Sequence, residues 1–285
     1  MLTEVDRLLV ATADAAAAGE AWRNLLGAEE VLREPCVELA AVRHVFRIGR
    51  SEIEFLQPDG GGPIAEALSR RRRAHVWAAG ASSPDPAAVA GTARSTGAET
   101  ARLGDRHLVT LNIEDAPIRF VISPEAERSP VGRLDFLYEA TVLAADQAKA
   151  VNQIRDAFGL DDAIFTRITS EAFGYTGVLT LFRPGQLHRF EVITPIDAGK
   201  TMARYHAREG ACFYMGFGEA RDLMEIERRI EPSGRTTDRP KGRRADEPPD
   251  QVWIHPTALG GVMLGVSRPT MAWMWSGHPE RVAPI

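Results

Sequence analysis

Two isolated glutamates lie inside apolar segments that are typical of β-strands. Glu54 lies within the segment 52–58, and Glu191 lies within the segment 189–195. Acidic residues are depleted in strands, so each carboxylate needs a reason to be there. A carboxylate that is enclosed by protein can have a shifted pKa and act as a general acid or base. The sequence therefore points to proton transfer as chemistry that these residues could support.

The two glutamate segments belong to a repeat of the whole chain. Each follows a predicted strand and tight turn, at 44–50 in the first half and at 178–185 in the second half. Each precedes a short basic stretch and a further apolar strand. A repeat of this size indicates a duplicated unit whose copies bury their apolar faces against one another.

Composition limits the classes of protein that this chain can be. The 285 residues include 44% hydrophobic residues, which is enough for two domains with their own cores. The formal net charge of −5 predicts no general attraction to nucleic acid or to anionic membranes. Two cysteines, Cys36 and Cys212, are too few for a disulfide framework. Because we find no signal peptide and no membrane-spanning run, we predict a cytoplasmic protein with no membrane or nucleic-acid partner.

The order of predicted elements divides the chain into two similar halves. We predict a first domain over 1–124, a linker over 125–133, a second domain over 134–270 and a docking tail over 271–285. The predicted helices of these halves cover 13–26, 85–97, 145–158 and 219–230. The segment 231–250, rich in Pro, Gly, Arg and Asp, is predicted to be a mobile loop.

Several stretches resemble the vicinal oxygen chelate superfamily, which includes glyoxalases, extradiol dioxygenases, bleomycin-resistance proteins and methylmalonyl-CoA epimerases. The segment 5–14 and the segment 22–27, which ends in Leu-Gly, resemble the family's opening strand and helix. The segments 254–256 and 260–262 resemble the last hairpin of the epimerase-like branch. The resemblance implies an α+β fold with four βαβββ modules in two tandem glyoxalase-like domains. Each domain would be a U-shaped mixed sheet that cups a site, with its helices outside.

The resemblance also implies a set of site positions in the first domain. Members of the family commonly bind a divalent metal with His, Gln or Glu from four strands. The corresponding positions here are Arg7, Glu54, His75 and Arg119. Arginine does not coordinate metals, and its charge repels a cation. We therefore predict a substrate-binding pocket for an anion at these four residues, or else a salt-bridged cluster that fills the cup.

In the second domain, the corresponding positions are Glu139, Glu191, Tyr214 and Gly265. Two carboxylates in one enclosed site push each other's pKa values apart, which suits one of them to be an acid and the other a base. We predict that Glu139 and Glu191 are the catalytic pair and that Tyr214 is a hydrogen-bond donor. The alternatives are that an arginine such as Arg189 neutralises a carboxylate, and that Tyr214 only packs.

A basic run, Arg70–Arg73, precedes the strand that carries His75. Such a run is most often a solvated surface, and the alternative is a clamp for a phosphate group. The matching place in the second half carries Arg204, His206 and Arg208 and is less basic.

These features lead to a predicted function with alternatives. We predict a glyoxalase-like isomerase or lyase that abstracts a proton beside a carbonyl group of a small molecule, without the usual metal site and without a cofactor. One alternative is a protein that sequesters a ligand, and another is an enzyme with a divalent metal on an incomplete ligand set. Extradiol dioxygenase activity is the least favoured, because its two-His-one-carboxylate set is absent from the matched positions. The sequence leaves open whether the chain forms a homodimer.

Overall fold

The computed structural model describes residues 1–230, 237–238 and 247–284. Within these residues, the first half forms one eight-stranded mixed sheet and the second half forms another. The strands of the first sheet are β1 (Val5–Ala11), β2 (Glu29–Cys36), β3 (Ala41–Ile48), β4 (Ser51–Pro58), β5 (His75–Ser83), β6 (Glu99–Leu103), β7 (Arg106–Ile113) and β8 (Ala116–Pro124). The strands of the second sheet are β9 (Phe136–Leu143), β10 (Thr166–Ser170), β11 (Tyr175–Leu181), β12 (Arg189–Pro195), β13 (Cys212–Glu219), β14 (Thr237–Asp238), β15 (Gln251–Ile254) and β16 (Leu264–Ser267).

The two sheets have the same topology. The strand order is β2-β3-β4-β1-β5-β8-β7-β6 in the first sheet and β10-β11-β12-β9-β13-β16-β15-β14 in the second. In each sheet the first strand pairs in parallel with the fourth strand, and the fifth pairs in parallel with the eighth. The second half therefore repeats the first strand for strand. This confirms the predicted α+β fold of two tandem glyoxalase-like domains, each built on a curled sheet.

Four helices follow the first strand of each module. They are α1 (Ala15–Leu26), α3 (Pro86–Ser95), α4 (Gln147–Phe158) and α6 (Leu223–Ile230). An aspartate carboxylate accepts a backbone N–H in the first turn of each, which satisfies a donor that the helix leaves unpaired. These aspartates are Asp14, Asp85, Asp146 and Asp222. The shared cap is a signature of the four predicted modules.

Two further helices, α2 (Pro63–Arg71) and α5 (Thr201–Glu209), connect the modules within each domain. The sequence analysis did not predict them. Ile64 is the sole fully buried residue of α2, and α5 has none. Both helices carry several charged residues and are polar on average, so their composition resembles that of a polar loop even though their few apolar residues share a face.

The two domains share one hydrophobic core. Helices α1, α3, α4 and α6 lie between the two sheets, and the core includes residues of both sheets. The ring of Phe120 lies 4.6 Å from that of Phe190 and 5.5 Å from that of Phe213, which links the halves directly. The indole N–H of Trp22 donates to the carbonyl of Leu259, 3.1 Å away. The opposite faces of the sheets point away from this core, and each forms the floor of a cup.

The segment between the sheets is held on the first domain. Strand β8 ends at Pro124 and β9 begins at Phe136. The amide N–H of Gly49 donates to the carbonyl of Val131, 2.6 Å away. Gly49 has a φ of 57°, and a Cβ there would overlap the backbone of Asp135, so the close approach requires glycine. The domain boundaries remain predictions.

Two predicted segments near the end of the chain have different outcomes. The segment 231–250, predicted to be a mobile loop, lies mostly outside the described residues. In the predicted tail, Ala272 is buried and the ring of Trp275 lies 6.3 Å from that of Phe217. No described helix is long and apolar enough to cross a membrane.

Candidate active site

In the first cup, Glu54 is completely buried among three arginines. Its Oε1 atom lies 2.6 Å from Nη1 of Arg7 and 2.6 Å from Nη1 of Arg106, and its Oε2 atom lies 3.3 Å from Nη1 of Arg43. Burial alone would raise the pKa of Glu54, but the charges of Arg106, Arg7 and Arg43 outweigh it and lower that pKa to about 2. The carboxylate is therefore ionised and its oxygens are already occupied.

Apolar side chains fill the space beside this ion cluster. They come from the inner face of the sheet and from α2, and they include Leu9, Leu56, Ile64, Trp77 and Val121. The first cup thus has the salt-bridged and filled arrangement that the sequence left open as an alternative. The substrate-binding roles of Arg7 and Glu54 remain predictions.

His75 and Arg119 do not join the Glu54 cluster. The Nδ1 atom of His75 lies 2.9 Å from the carbonyl oxygen of Arg73. The guanidinium of Arg119 lies 4.7 Å from the ring centroid of Trp77, a cation–π contact. The four positions predicted as one pocket are therefore divided between an ion cluster and the edge of the domain.

The second cup contains a cavity of about 840 Å³. One of its walls comes from the first domain, at the beginning of β5. There, a Cβ on Gly261 would lie 2.6 Å from the carbonyl carbon of Ala74, so the two domains touch through their backbones. Aromatic, methionine and ionisable side chains line the cavity. They are His75, Phe173, Tyr175, Glu191, Lys200, Met202, Tyr205, Tyr214, Phe217, Trp253, His255 and Met263.

Glu191 places its carboxyl group at the floor of this cavity and is only 4% exposed. Strand β11 carries Gly177 beside it, and a Cβ on that glycine would lie 2.9 Å from Oε1 of Glu191. The glycine therefore leaves room for the carboxyl group. Burial, followed by the negative charge of Glu139, raises the pKa of Glu191 well above its usual range. Glu191 is therefore the member of the pair that retains a proton.

Glu139 lies behind Glu191 and is 1% exposed. Its Oε2 atom accepts a hydrogen bond of 2.8 Å from Nε of Arg189, which is completely buried. Arg189 also donates to the carbonyl of Leu187 at 3.0 Å and lies over the ring of Tyr138 at 4.8 Å. An arginine partner for one carboxylate was an alternative in the sequence analysis, and the structure contains it.

Thr141 joins the two carboxyl groups. Its Oγ1 atom lies 2.8 Å from Oε1 of Glu139 and 3.0 Å from Oε2 of Glu191. A hydroxyl group has one hydrogen and can donate to only one of the two carboxyl groups. Both contacts are satisfied when neutral Glu191 donates to Thr141 and Thr141 donates to ionised Glu139. The geometry therefore forms a chain of hydrogen bonds that holds one proton between two carboxyl groups.

Two tyrosines line the cavity near this chain. Tyr214, a predicted donor, is half-buried, and its ring packs edge-to-face against Tyr205 with centroids 5.2 Å apart. Tyr175 is half-buried on β11, the strand beside that of Glu191. Burial, followed by the electrostatic effect of Glu191, raises the pKa of its hydroxyl. A phenol hydroxyl can donate a hydrogen bond to a ligand oxygen.

Sequence reasoning missed several residues of this site. Thr141 and Tyr175 are residue types common in ordinary strands, so nothing in the local pattern singled them out. His255 was assigned a structural role, yet it lines the cavity. His75 was assigned to the first cup, but it also lines the cavity of the second.

The residues of the second cup do not fit a firmly held metal ion. The described residues contain no group of three His, Cys, Asp or Glu side chains that could bind one. Arg189 and Thr141 already occupy both oxygens of Glu139. A cation at Glu191 would also have to displace its proton. We therefore derive no step through a metal, and the predicted absence of a cofactor remains a prediction.

No family model matches the sequence, and no curated protein sequence matches it. A triple variant of 4-hydroxymandelate synthase from Streptomyces coelicolor is similar in structure, with a TM-score of 0.73, 14% identity and coverage of 99% of both chains. A fusion of a xylose isomerase-like TIM barrel with 4-hydroxyphenylpyruvate dioxygenase has a TM-score of 0.64 and 12% identity, covering 94% of this chain and 49% of the fusion.

Methylmalonyl-CoA epimerase from Mycobacterium tuberculosis covers 48% of this chain with 89% of its own length, at 20% identity and a TM-score of 0.40. A match at that level does not single out the epimerase-like branch, which remains a prediction. The similarity over the full length nevertheless agrees with the observed strand order in both halves. The chain therefore has the tandem glyoxalase-like fold of the vicinal oxygen chelate superfamily.

Proposed function

We propose that this chain is an enzyme that transfers a proton at a carbon beside a carbonyl group, in the cavity of the second domain. The observation that carries this proposal is the hydrogen-bonded chain Glu191–Thr141–Glu139, whose outer carboxyl group faces a large cavity. Paired carboxyl groups with separated pKa values are suited to act as acid and base in turn.

The proposed step moves one proton along the chain. The C–H bond of the substrate breaks, its electron pair forms an enolate, and the proton goes to Oε1 of Glu191. The proton that Glu191 held on Oε2 passes to Thr141, and the hydroxyl proton of Thr141 passes to Glu139. The Nε–H of Arg189 donates to Oε2 of Glu139 and leaves Oε1, the atom beside Thr141, to receive this proton. Return of a proton to the same carbon or to its neighbour completes an isomerisation, whereas loss of a leaving group completes an elimination.

Tyr175 and Tyr214 supply the other requirement, which is stabilisation of the charge that forms on the substrate oxygen. Phenol hydroxyls that are fixed in the wall of a cavity can donate to an enolate oxygen more strongly than water does. We propose that Tyr214, the predicted donor, and Tyr175 share this role, since both line the same cavity as Glu191.

Hydrogen–deuterium exchange at carbon tests the proposal without knowledge of the natural substrate. The chain is incubated in D₂O with a panel of small 2-oxo acids and aryl ketones, and NMR follows the loss of the proton beside the carbonyl. We expect exchange with the wild-type chain and a fall of about 100-fold or more with Glu191→Gln, the range of general acid–base catalysis. Glu29→Gln, on the exposed edge strand β2, is the matched control. Equal exchange rates in both variants would refute the assignment.

A second function is favoured by the apolar lining of the cavity. The rings of Phe173 and Trp253 lie 5.3 Å apart in an edge-to-face contact, and Met202 and Met263 add flexible apolar surface. Such a lining suits sequestration of a flat aromatic compound. Ligand binding without product or exchange, measured by mass spectrometry and NMR, would favour this function. Elemental analysis of protein purified without chelator tests the alternative in which a metal is held by carboxylates.

A further inference from the structure

A crevice of about 60 Å³ lies at the junction of the two domains, beside the large cavity. Helix α2 and the beginnings of β5 and β8 supply one side, and the end of α5 with the beginning of β13 supplies the other. His75, Val76 and Phe213 line both the crevice and the cavity, so the two spaces adjoin.

The crevice concentrates positive charge. Arg70 and Arg71 from α2 and Arg119 from β8 all line it. The carboxylate in its wall, Glu209, is held elsewhere, because Arg73 and Arg208 each bind its Oε1 atom at 2.6 Å. Its Oε2 atom is 3.8 Å from Nε of Arg71. Among the described residues, the crevice is thus lined by the three arginines Arg70, Arg71 and Arg119 and by one acidic residue, Glu209, which already has partners.

Donor groups in the crevice also lack acceptors. Nη1 of Arg71 and Nε1 of Trp77 are buried and have no hydrogen-bond partner among the described residues. Trp77 is 3% exposed, and the Arg119 guanidinium lies over its ring. Burial, followed by the positive charge of Arg70, lowers the pKa of Arg119, and the charges of Glu66 and Glu99 oppose that shift. Unpaired buried donors are costly, and an anion would satisfy several of them at once.

We infer that this crevice binds an anionic group, a carboxylate or a phosphate, of the molecule whose reacting carbon lies at Glu191. This inference rests on the proposed function for the part that concerns the reacting carbon, but the anion site can be tested without turnover. It specifies the substrate class as a carbonyl compound with an acidic group at one end. The basic run Arg70–Arg73 then contributes Arg70 and Arg71 to the site, whereas Arg72 is exposed and Arg73 pairs with Glu209 beside the large cavity.

Calorimetric titration of the full chain with inorganic phosphate and with acetate, at low ionic strength, tests the site. We expect saturable binding of at least one anion, and the tighter of the two identifies the kind of group that the crevice prefers. Arg119→Gln and Arg71→Gln should each weaken binding by about tenfold, the effect of losing one charge-assisted hydrogen bond. Arg72→Gln removes the same charge from the same run at an exposed position outside the crevice, and should leave binding unchanged.

The result that would overturn the inference is equal anion affinity in Arg119→Gln, Arg71→Gln and Arg72→Gln, or no saturable binding of either anion. Thermal unfolding of each variant shows whether it has kept its fold. If Arg71→Gln is unstable, the anion affinity of Arg119→Gln alone tests the site. Glu191→Gln should keep the wild-type anion affinity while losing exchange activity. If the wild type binds an anion but shows no exchange, the proposed reaction fails and the anion site stands. If the wild type shows exchange but binds no anion, the anion site fails and the proposed reaction stands.

Discussion

Glu54 and Glu191 occupy equivalent positions in the two domains, yet their carboxyl groups hold opposite protonation states. Glu54 lies opposite Leu9 in the parallel pair β1–β4, and Glu191 lies opposite Thr141 in the parallel pair β9–β12. Arginine charges lower the pKa of Glu54 to about 2, whereas burial and Glu139 raise the pKa of Glu191. Equivalent positions thus hold a paired anion in one copy and a neutral carboxyl group in the other.

The neighbouring ion pair shows how this difference arises. Arg7 pairs with Glu52 at 2.9 Å in the first domain, and Glu139 pairs with Arg189 at 2.8 Å at the corresponding register in the second. The two pairs have exchanged their charges between the strands. The strand beside Glu54 therefore contributes a cation, and the strand beside Glu191 contributes an anion.

Substitution of each glutamate by glutamine should change the free energy of unfolding by very different amounts. Glu54→Gln removes the anion that compensates buried arginine charges, so we expect a loss of about 3 to 5 kcal/mol in the free energy of unfolding. Glu191→Gln replaces a neutral carboxyl group by a neutral amide of the same shape, so we expect a change below about 1 kcal/mol. Urea unfolding near neutral pH measures both, and equal losses would contradict the assigned charge states.

The two carboxyl groups also predict opposite dependences of stability on pH. The pKa of Glu54 is lowered from 4.5 to about 2, so its contribution is complete above pH 4.5 and is lost as the pH falls towards 2. That shift corresponds to about 3 kcal/mol. The pKa of Glu191 is raised, so its contribution is complete below the unfolded-state value of 4.5 and is lost as the pH rises through the folded-state pKa.

Unfolding of the wild type and of Glu191→Gln, compared from about pH 4 to about pH 8, isolates the second effect. We expect the wild type to lose stability relative to the variant as the pH rises. Glu29→Gln is the control and should follow the wild type. Parallel curves for the wild type and Glu191→Gln would show that Glu191 titrates normally.

Thr141 should act as a positioning residue for proton transfer. Thr141→Val keeps the shape of the side chain but breaks the chain between the carboxyl groups. We expect a 10- to 100-fold fall in the exchange rate and a displaced pH–rate profile, because the two carboxyl groups no longer share a proton. Thr141→Ser retains the hydroxyl and should restore both. An unchanged pH–rate profile in the valine variant would count against the hydrogen-bonded chain.

Exchange of the Glu139–Arg189 charges should recreate the arrangement of the first domain. Glu139→Arg or Arg189→Glu alone leaves like charges buried together, and we expect each to cost about 3 to 5 kcal/mol. The double variant restores a pair, so we expect it to be at least about 2 kcal/mol more stable than the sum of the single effects. It also places a cation beside Glu191, which should ionise that carboxyl group and abolish exchange. Strictly additive single effects, measured by urea unfolding, would contradict the pairing.

Much of the fold could be predicted because its signals are local and repeated. The predicted helices over 13–26 and 145–158 end as predicted, where Gly27 and Gly159 adopt the left-handed conformation, and the strands around Glu54 and Glu191 follow the predicted hairpins. Helices α2 and α5 could not be predicted, because they are short and polar on average and so resemble a polar loop in composition.

The site was predictable only in part. The structure places Glu139 and Glu191 on the same hydroxyl group, so both lie on the face that the resemblance implied. The hydroxyl itself belongs to a threonine in a strand, which is typical of ordinary sheets. His75 lines the cavity of the other domain through the packing of the two halves, and no local pattern of residues encodes such a long-range arrangement.

The backbone contact between Ala74 and Gly261 has a consequence for how the duplicated halves depend on each other. The first domain has a filled cup of its own, but its residues 73–76 form part of the wall of the second domain's cavity. The second half, expressed separately, would therefore lack one side of its compartment, so a substitution at Ala74 that changes only the first half could still alter ligand binding in the second.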